Sequence, residues 1–110
     1  GKGNIHLNGR NVLVRDPTQY SSLESMSFGI DNGKELLLPT INNEGRQLTP
    51  QEALQQYRQT GQHLGIFDSP EEASKHAVAL ERRQQAYYEK GPGQPILRKA
   101  YQQWKQQQQK

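Results

Sequence analysis

The sequence predicts an α+β fold: a small antiparallel sheet of about three strands packed against two capped helices, with a further helix on a Gly/Pro hinge. Three observations carry this. Short apolar runs between residues 11 and 41 are separated by turn residues, as strands are. Residues 48–90 contain two helix openings of one design, Thr49-Pro50-Gln51-Glu52 and Ser69-Pro70-Glu71-Glu72. Gly91-Pro92-Gly93-Gln94-Pro95 then interrupts the helical pattern before it resumes at Ile96.

Residues 1–10 hold Ile5 and Leu7 as their only large apolar side chains and read as an irregular lead-in. Asn11-Val12-Leu13-Val14-Arg15 is a short β-branched strand with Val12 and Val14 on one face. Asp16-Pro17-Thr18-Gln19 is a turn. A second strand runs from Leu23 to Ile30, where Met26, Phe28 and Ile30 alternate with Ser25, Ser27 and Gly29 as on a half-buried strand. Asn32-Gly33 is a strong hairpin signal. The third strand returns over 34–41, and Pro39, which has no N–H to donate, is expected at an edge or strand end, facing outward. Asn42-Asn43-Glu44-Gly45 is a further turn.

Each helix opening places a hydroxyl at the N-cap, proline at the first helical position and glutamate at the third, so the glutamate can reach back to the cap's own N–H. Gly61 and Gly91 are placed to end the helices in left-handed conformation. Ala53, Leu54 and Tyr57 share a face of the first helix. Ala73, Ala77, Leu80 and Tyr87, supported by Val78 and Tyr88, form a stripe on the second, and its alanines admit a close neighbour. Between the helices, Leu64, Ile66 and Phe67 are too apolar to sit in water together and are expected to plug the gap between sheet and helices, leaving no enclosed pocket. Both capped helices are expected on one face of the sheet. After the hinge, Ile96, Ala100 and Trp104 line up beside Leu97 and Tyr101 before the sequence dissolves into Gln106–Gln109. A helix this short is marginal alone, so it either folds back on its own domain or docks in a partner's groove. Residues 1–91 thus form the compact unit, and 92–110 the hinge and Gln-rich helix.

Composition narrows the function classes. Only 31% of the 110 residues are hydrophobic and the mean hydropathy is −1.07, so the core is small. The absence of cysteine excludes disulfides and thiolate metal sites. No apolar run approaches the ~20 residues that span a bilayer, and no signal-peptide core is present. The net charge of +3 permits an acidic partner without demanding one.

The candidate sites are few. Glu24-Ser25 is similar to the Glu-Ser pair at the catalytic acid of lytic transglycosylases, but it falls on a strand, and no Gly-Leu-Met-Gln follows. His6, His63 and His76 lack ligand spacing, so no metal or cofactor is expected. Arg82, Arg83, Lys90, Arg98, Lys99 and Lys105 make the C-terminal third basic, with Tyr87, Tyr88, Tyr101 and Trp104 interleaved. Cations with stacking aromatics can serve nucleic acid, though aromatics on a buried stripe beside a wet charged face read the same way.

An ordered run of motifs resembles a small module of tailed-bacteriophage proteins. It comprises Asn4-Ile5-His6-Leu7 with Arg10, Ser25-Met26-Ser27-Phe28, Gly33-Lys34-Glu35 and Leu38-Pro39-Thr40-Ile41. It continues through Gly45-Arg46, Thr49-Pro50-Gln51-Glu52-Ala53, Gln56-Tyr57-Arg58-Gln59-Thr60-Gly61 and His63-Leu64-Gly65-Ile66-Phe67, and ends at Asp68-Ser69-Pro70-Glu71-Glu72-Ala73. In that family the module occurs as a short phage protein or as a segment of virion-internal, ejected proteins, some carrying a transglycosylase domain elsewhere. The likeness covers roughly 3–90. His6 stands where the family is acidic, and 16–22 lacks its glycine turn.

The resemblance implies phage origin, residence in the virion with assembly in the host cytoplasm, and no catalytic residues at the matched positions. The expected function is therefore non-enzymatic: contact with other virion proteins, copies of itself included, through Ile96, Leu97, Tyr101 and Trp104 of the tail and through His63 and Phe67 of the connector. The alternative is an accessory protein that binds nucleic acid or a host protein through Arg82, Arg83, Arg98, Lys99 and Lys105.

Overall fold

Leu36-Leu37-Leu38 has no polar break, and none of the three is more than 2% exposed. A strand buries consecutive side chains only when both faces of its sheet are covered. The computed structural model, which describes residues Lys2 to Gln109, has this arrangement. Gly1 and Lys110, the outer ends of the two units read from the sequence, lie outside the described residues.

In chain order the elements are β1 (Leu13–Asp16), β2 (Gln19–Ser21), β3 (Ser25–Gly29), β4 (Glu35–Pro39), α1 (Pro50–Thr60), β5 (Gly65–Phe67), α2 (Pro70–Lys90) and α3 (Gln94–Gln108). The fold is α+β. The main sheet is antiparallel in the order β3-β4-β5, with Met26 opposite Leu38, Phe28 opposite Leu36, and Leu36 opposite Ile66. Two expectations are corrected here. The first predicted strand is not part of this sheet: β1 pairs with β2, a strand not read from the sequence, in a separate two-stranded sheet with an irregularity between Val14 and Asp16. The interhelix connector supplies the third strand instead.

The helices also lie on opposite faces of the sheet rather than sharing one. Leu36, Leu38, Leu48 and Ala53 form a core with Phe28, Leu54, Tyr57 and Ile66, which places α1 on one side. Leu23, Leu37, Leu64 and Ala73 form a second core with Ile5, Leu7, Phe67, Ala77 and Leu80, which places α2 on the other. The connector's apolar residues divide between the two, and this binds the layers. A third core of Val12, Tyr88 and Ala100, with Val14, Tyr20, Tyr87, Ile96 and Leu97 around it, packs α3 against the C-terminal half of α2 and against β1.

Local details follow the residues. Asn32 (φ 65°) and Gly33 (φ 73°) make the β3–β4 turn. The Asn42 side chain accepts from Glu44 and Arg46 N–H in the following turn. Helix α1 has the full reciprocal cap: Thr49 accepts from Glu52 N–H, and Glu52 accepts from Thr49 N–H. That backbone bond, aided by Arg46, holds the Glu52 carboxyl below the usual carboxylate range. In α2 only half of the device forms. Ser69 accepts from Glu72 N–H, but Glu72 takes the N–H of Asp68 rather than of Ser69.

Gly61 ends α1 in the left-handed region (φ 69°), whereas Gly91 is extended (φ −121°), because the chain runs straight on into the turn before α3. Pro39 is buried rather than facing out; it sits at the end of β4, beyond the reach of β5, where no ladder bond is needed. Met26 and Ile30 are 42% and 39% exposed, and Val78 on α2 is 47% exposed. Of Met26, Phe28 and Ile30 only Phe28 reaches the core, because α1 covers the centre of the sheet and not its β3 margin.

Candidate interaction surfaces

The histidines and carboxylates are held in structural pairs or stand apart. Arg15 Nη2 lies 2.5 Å from Glu24 Oε2, and Thr40 Oγ1 donates to Glu24 Oε1 at 3.3 Å, at the surface end of β3. The His63 ring stands edge-on to Tyr57 at 6.2 Å, and its Nδ1 is buried without a hydrogen-bond partner. His76 lies against Phe67 at 4.9 Å; burial first, and Arg83 second, push its imidazole below the usual value. His6 is exposed. Among the described residues no group of three or more His, Asp or Glu could hold a metal ion. No helix of theirs is long and apolar enough to cross a membrane.

The tail residues turn toward their own chain. Ile96 and Leu97 pack beside Val12, Tyr88 and Ala100. The Tyr101 ring meets Tyr20 edge-on at 6.4 Å. Trp104 is half-buried and lines an open groove of about 190 Å³ with residues of β1, Gly45 and Gln107. From Lys105 onward every described residue is exposed. His63 and Phe67 are half-buried at the connector, and Phe67 contributes to the α2-side core.

The cations remain on the outside. Arg82, Arg83, Arg98, Lys99 and Lys105 are all exposed, and none belongs to an ion pair among the described residues. Arg83 and Lys90 flank an open groove of about 650 Å³ floored by Leu80, Gln84 and Tyr87. Three of the four aromatics that would stack on bases are engaged elsewhere: Tyr87 and Tyr88 are edge-to-face at 4.9 Å, and Tyr101 is on Tyr20. Tyr20 donates to Glu89 at 2.6 Å; burial and this bond raise its phenol well above the ordinary value.

A buried polar knot was not legible in the sequence. Tyr88, 0% exposed, donates its hydroxyl to the Arg10 carbonyl. The Arg10 guanidinium donates to the Ile41 carbonyl and, at 2.9 Å, to Asn43 Oδ1. Burial lowers the Arg10 pKa, while the fields of Tyr88 and Glu44 oppose this. Gln84, also buried, reaches Asn8 at 3.3 Å. Arg10 and Asn8 lie in a stretch without periodicity, so only their polarity was visible. The one available signal was Gln84, which falls on the apolar line between Leu80 and Tyr88 and so required a partner.

Comparison of the chain with protein-family models, curated proteins and solved structures finds no match. The class defined by the fold is a small α+β domain with a helix on each face of its main sheet.

Proposed function

We propose that this is a non-enzymatic, virion-associated protein of a tailed bacteriophage that works through protein–protein contacts. One observation carries the reading: many residues of the phage-like motifs serve the scaffold. Asn4 straps the lead-in to the connector, donating to the Gly61 carbonyl and accepting from His63 N–H. A Cβ on Gly3 would stand 2.5 Å from the His63 carbonyl oxygen, and one on Gly45 would stand 2.5 Å from that of Val12. Leu38, Ile41, Ala53 and Leu64 are core, and Thr49 with Glu52 is the α1 cap. A shared pattern that specifies packing rather than a reaction centre suits a structural module. Under this reading the contacts to other virion proteins use what the tail leaves open, Trp104 and the last turns, together with the rim around His63 and Phe67. Synthesis and assembly take place in the host cytoplasm.

Mass spectrometry of purified particles tests it. Peptides of this chain are expected at a fixed ratio to the major capsid protein after density-gradient purification, and their absence would refute virion residence.

The unpaired cations along α2 and α3 support a second reading, binding of nucleic acid or an acidic host protein. With the tyrosines engaged and only Trp104 open, this binding would be mainly electrostatic, so affinity for single-stranded DNA would fall steeply with salt and weaken in Arg83→Ala with Arg98→Ala. Salt-independent or absent binding removes the nucleic-acid form of this reading.

A further inference from the structure

The two outer edges of the main sheet differ, and from that difference we infer that the free edge of β3 is a self-association site. Two copies would pair their β3 strands antiparallel about Ser27, joining two three-stranded sheets into one continuous sheet. The β5 edge is shielded, since Lys2 bridges to Gly65 and Asn4 N–H donates to the His63 carbonyl at 3.0 Å. Among the described residues β3 has no strand neighbour but β4. Ile30 N–H donates to the Lys34 carbonyl, and the Glu24 carbonyl accepts from Thr40 N–H. The even-numbered residues of β3 therefore direct their backbone groups to β4. Those of Ser25, Ser27 and Gly29 point off the sheet.

Natural edges are blunted by proline, lysine, inward charges or bulges. The strand Ser25–Gly29 has neither proline nor charge, and its register with β4 is unbroken. Instead, two of the three exposed large hydrophobic residues, Met26 and Ile30, lie on or beside it.

A second copy fits because the strand is complementary to itself. Pairing about Ser27 overlaps all five residues and sets Ser25 opposite Gly29 of the other copy, at the hydrogen-bonded positions. Met26 then falls opposite Phe28 of the other copy, at the non-hydrogen-bonded positions where side chains come closest, and thioether meets ring twice. The Arg15–Glu24 end of one strand meets Ile30 and Asp31 of the other, and Asp31 has no ion-pair partner among the described residues.

A five-residue strand is about 17 Å long. A contact of that length falls short of the roughly 1,200 Å² buried in stable complexes. The pairing is therefore a reversible monomer–dimer equilibrium. It does not rest on the virion reading, because a copy outside any particle would pair in the same way.

Sedimentation velocity of the full chain, from micromolar to millimolar concentration, tests this. The parent is expected to shift from monomer toward dimer. Ser27→Pro removes an outward N–H that β4 does not use, and Met26→Lys puts charge on the exposed face; each should weaken dimerisation at least tenfold, with circular dichroism and thermal transition matching the parent. If Ser27→Pro does not fold, Met26→Lys alone decides. A parent that stays monomeric throughout overturns the inference, and so does a dimer that folded variants leave unchanged.

Discussion

The sheet with its two helical covers and the layer around Tyr88 are held by different means. In the sandwich, aliphatic side chains at consecutive positions of β4 face two separate cores, and the strands fix the register. In the outer layer, small and aromatic residues meet across α2, α3 and β1, and the anchoring bonds are polar: Tyr88 to Arg10, Arg10 to Ile41 and Asn43, Tyr20 to Glu89. The first is stabilised by transfer of apolar surface from water. The second depends on each buried polar group keeping its partner. The two regions should therefore respond to different perturbations.

The largest effect is expected in the sandwich. Leu38→Ala, at a position 1% exposed, should cost about 2–5 kcal/mol through lost burial and the cavity left behind, read as a lower urea midpoint. Tyr88→Phe comes next. It keeps the ring but leaves the Arg10 carbonyl without its donor, for about 1–3 kcal/mol. If that substitution were neutral, the outer layer would be packed like the sandwich, and the contrast would fail.

The same layer should be sensitive to base. Burial raises the Tyr88 phenol, and burial with the Glu89 bond raises that of Tyr20, so the folded state holds these protons more tightly than the unfolded chain. Their contribution is complete below a pH of about 10 and is lost as pH climbs through the folded values. Tyrosinate absorbance should therefore rise late, together with loss of near-UV circular dichroism.

The smallest effect sharpens a contrast inside the sandwich. Thr49→Ala should cost about 1 kcal/mol, and Ser69→Ala less, because only α1 has the reciprocal cap. Thermal midpoints of the two variants, compared side by side, check this.

Much of the fold was legible because its signals are local. Both N-caps, the Asn32-Gly33 turn and the helix limits are set by residues within a few positions of one another. The layering was legible in principle. The unbroken Leu36–Leu38 run indicates a strand covered on both sides, and reading it as one-sided put both helices on one face. The greasy residues of the connector mark it as a plug, but the three residues Gly65-Ile66-Phe67 carry no alternation from which a strand could be read. Spacing alone places Val78 and Met26 inward, but what covers a position is decided by distant segments. The candidate surface shows the same division. The exposure of the cations followed from their charge, whereas the turning of Tyr101 and Trp104 toward β1 and Tyr20 depended on long-range packing.

The Asn4 strap has a consequence for how the chain is made. Its partners, Gly61 and His63, lie 57 and 59 positions downstream, and the carbonyl of Arg10 waits for Tyr88, 78 positions on. During synthesis Asn4 and Arg10 leave the ribosome well before these partners, and β4 lacks its second neighbour until the connector emerges. Folding should thus be a late, concerted event that follows translation of α2, so that nascent chains stopped before Tyr88 remain open to protease.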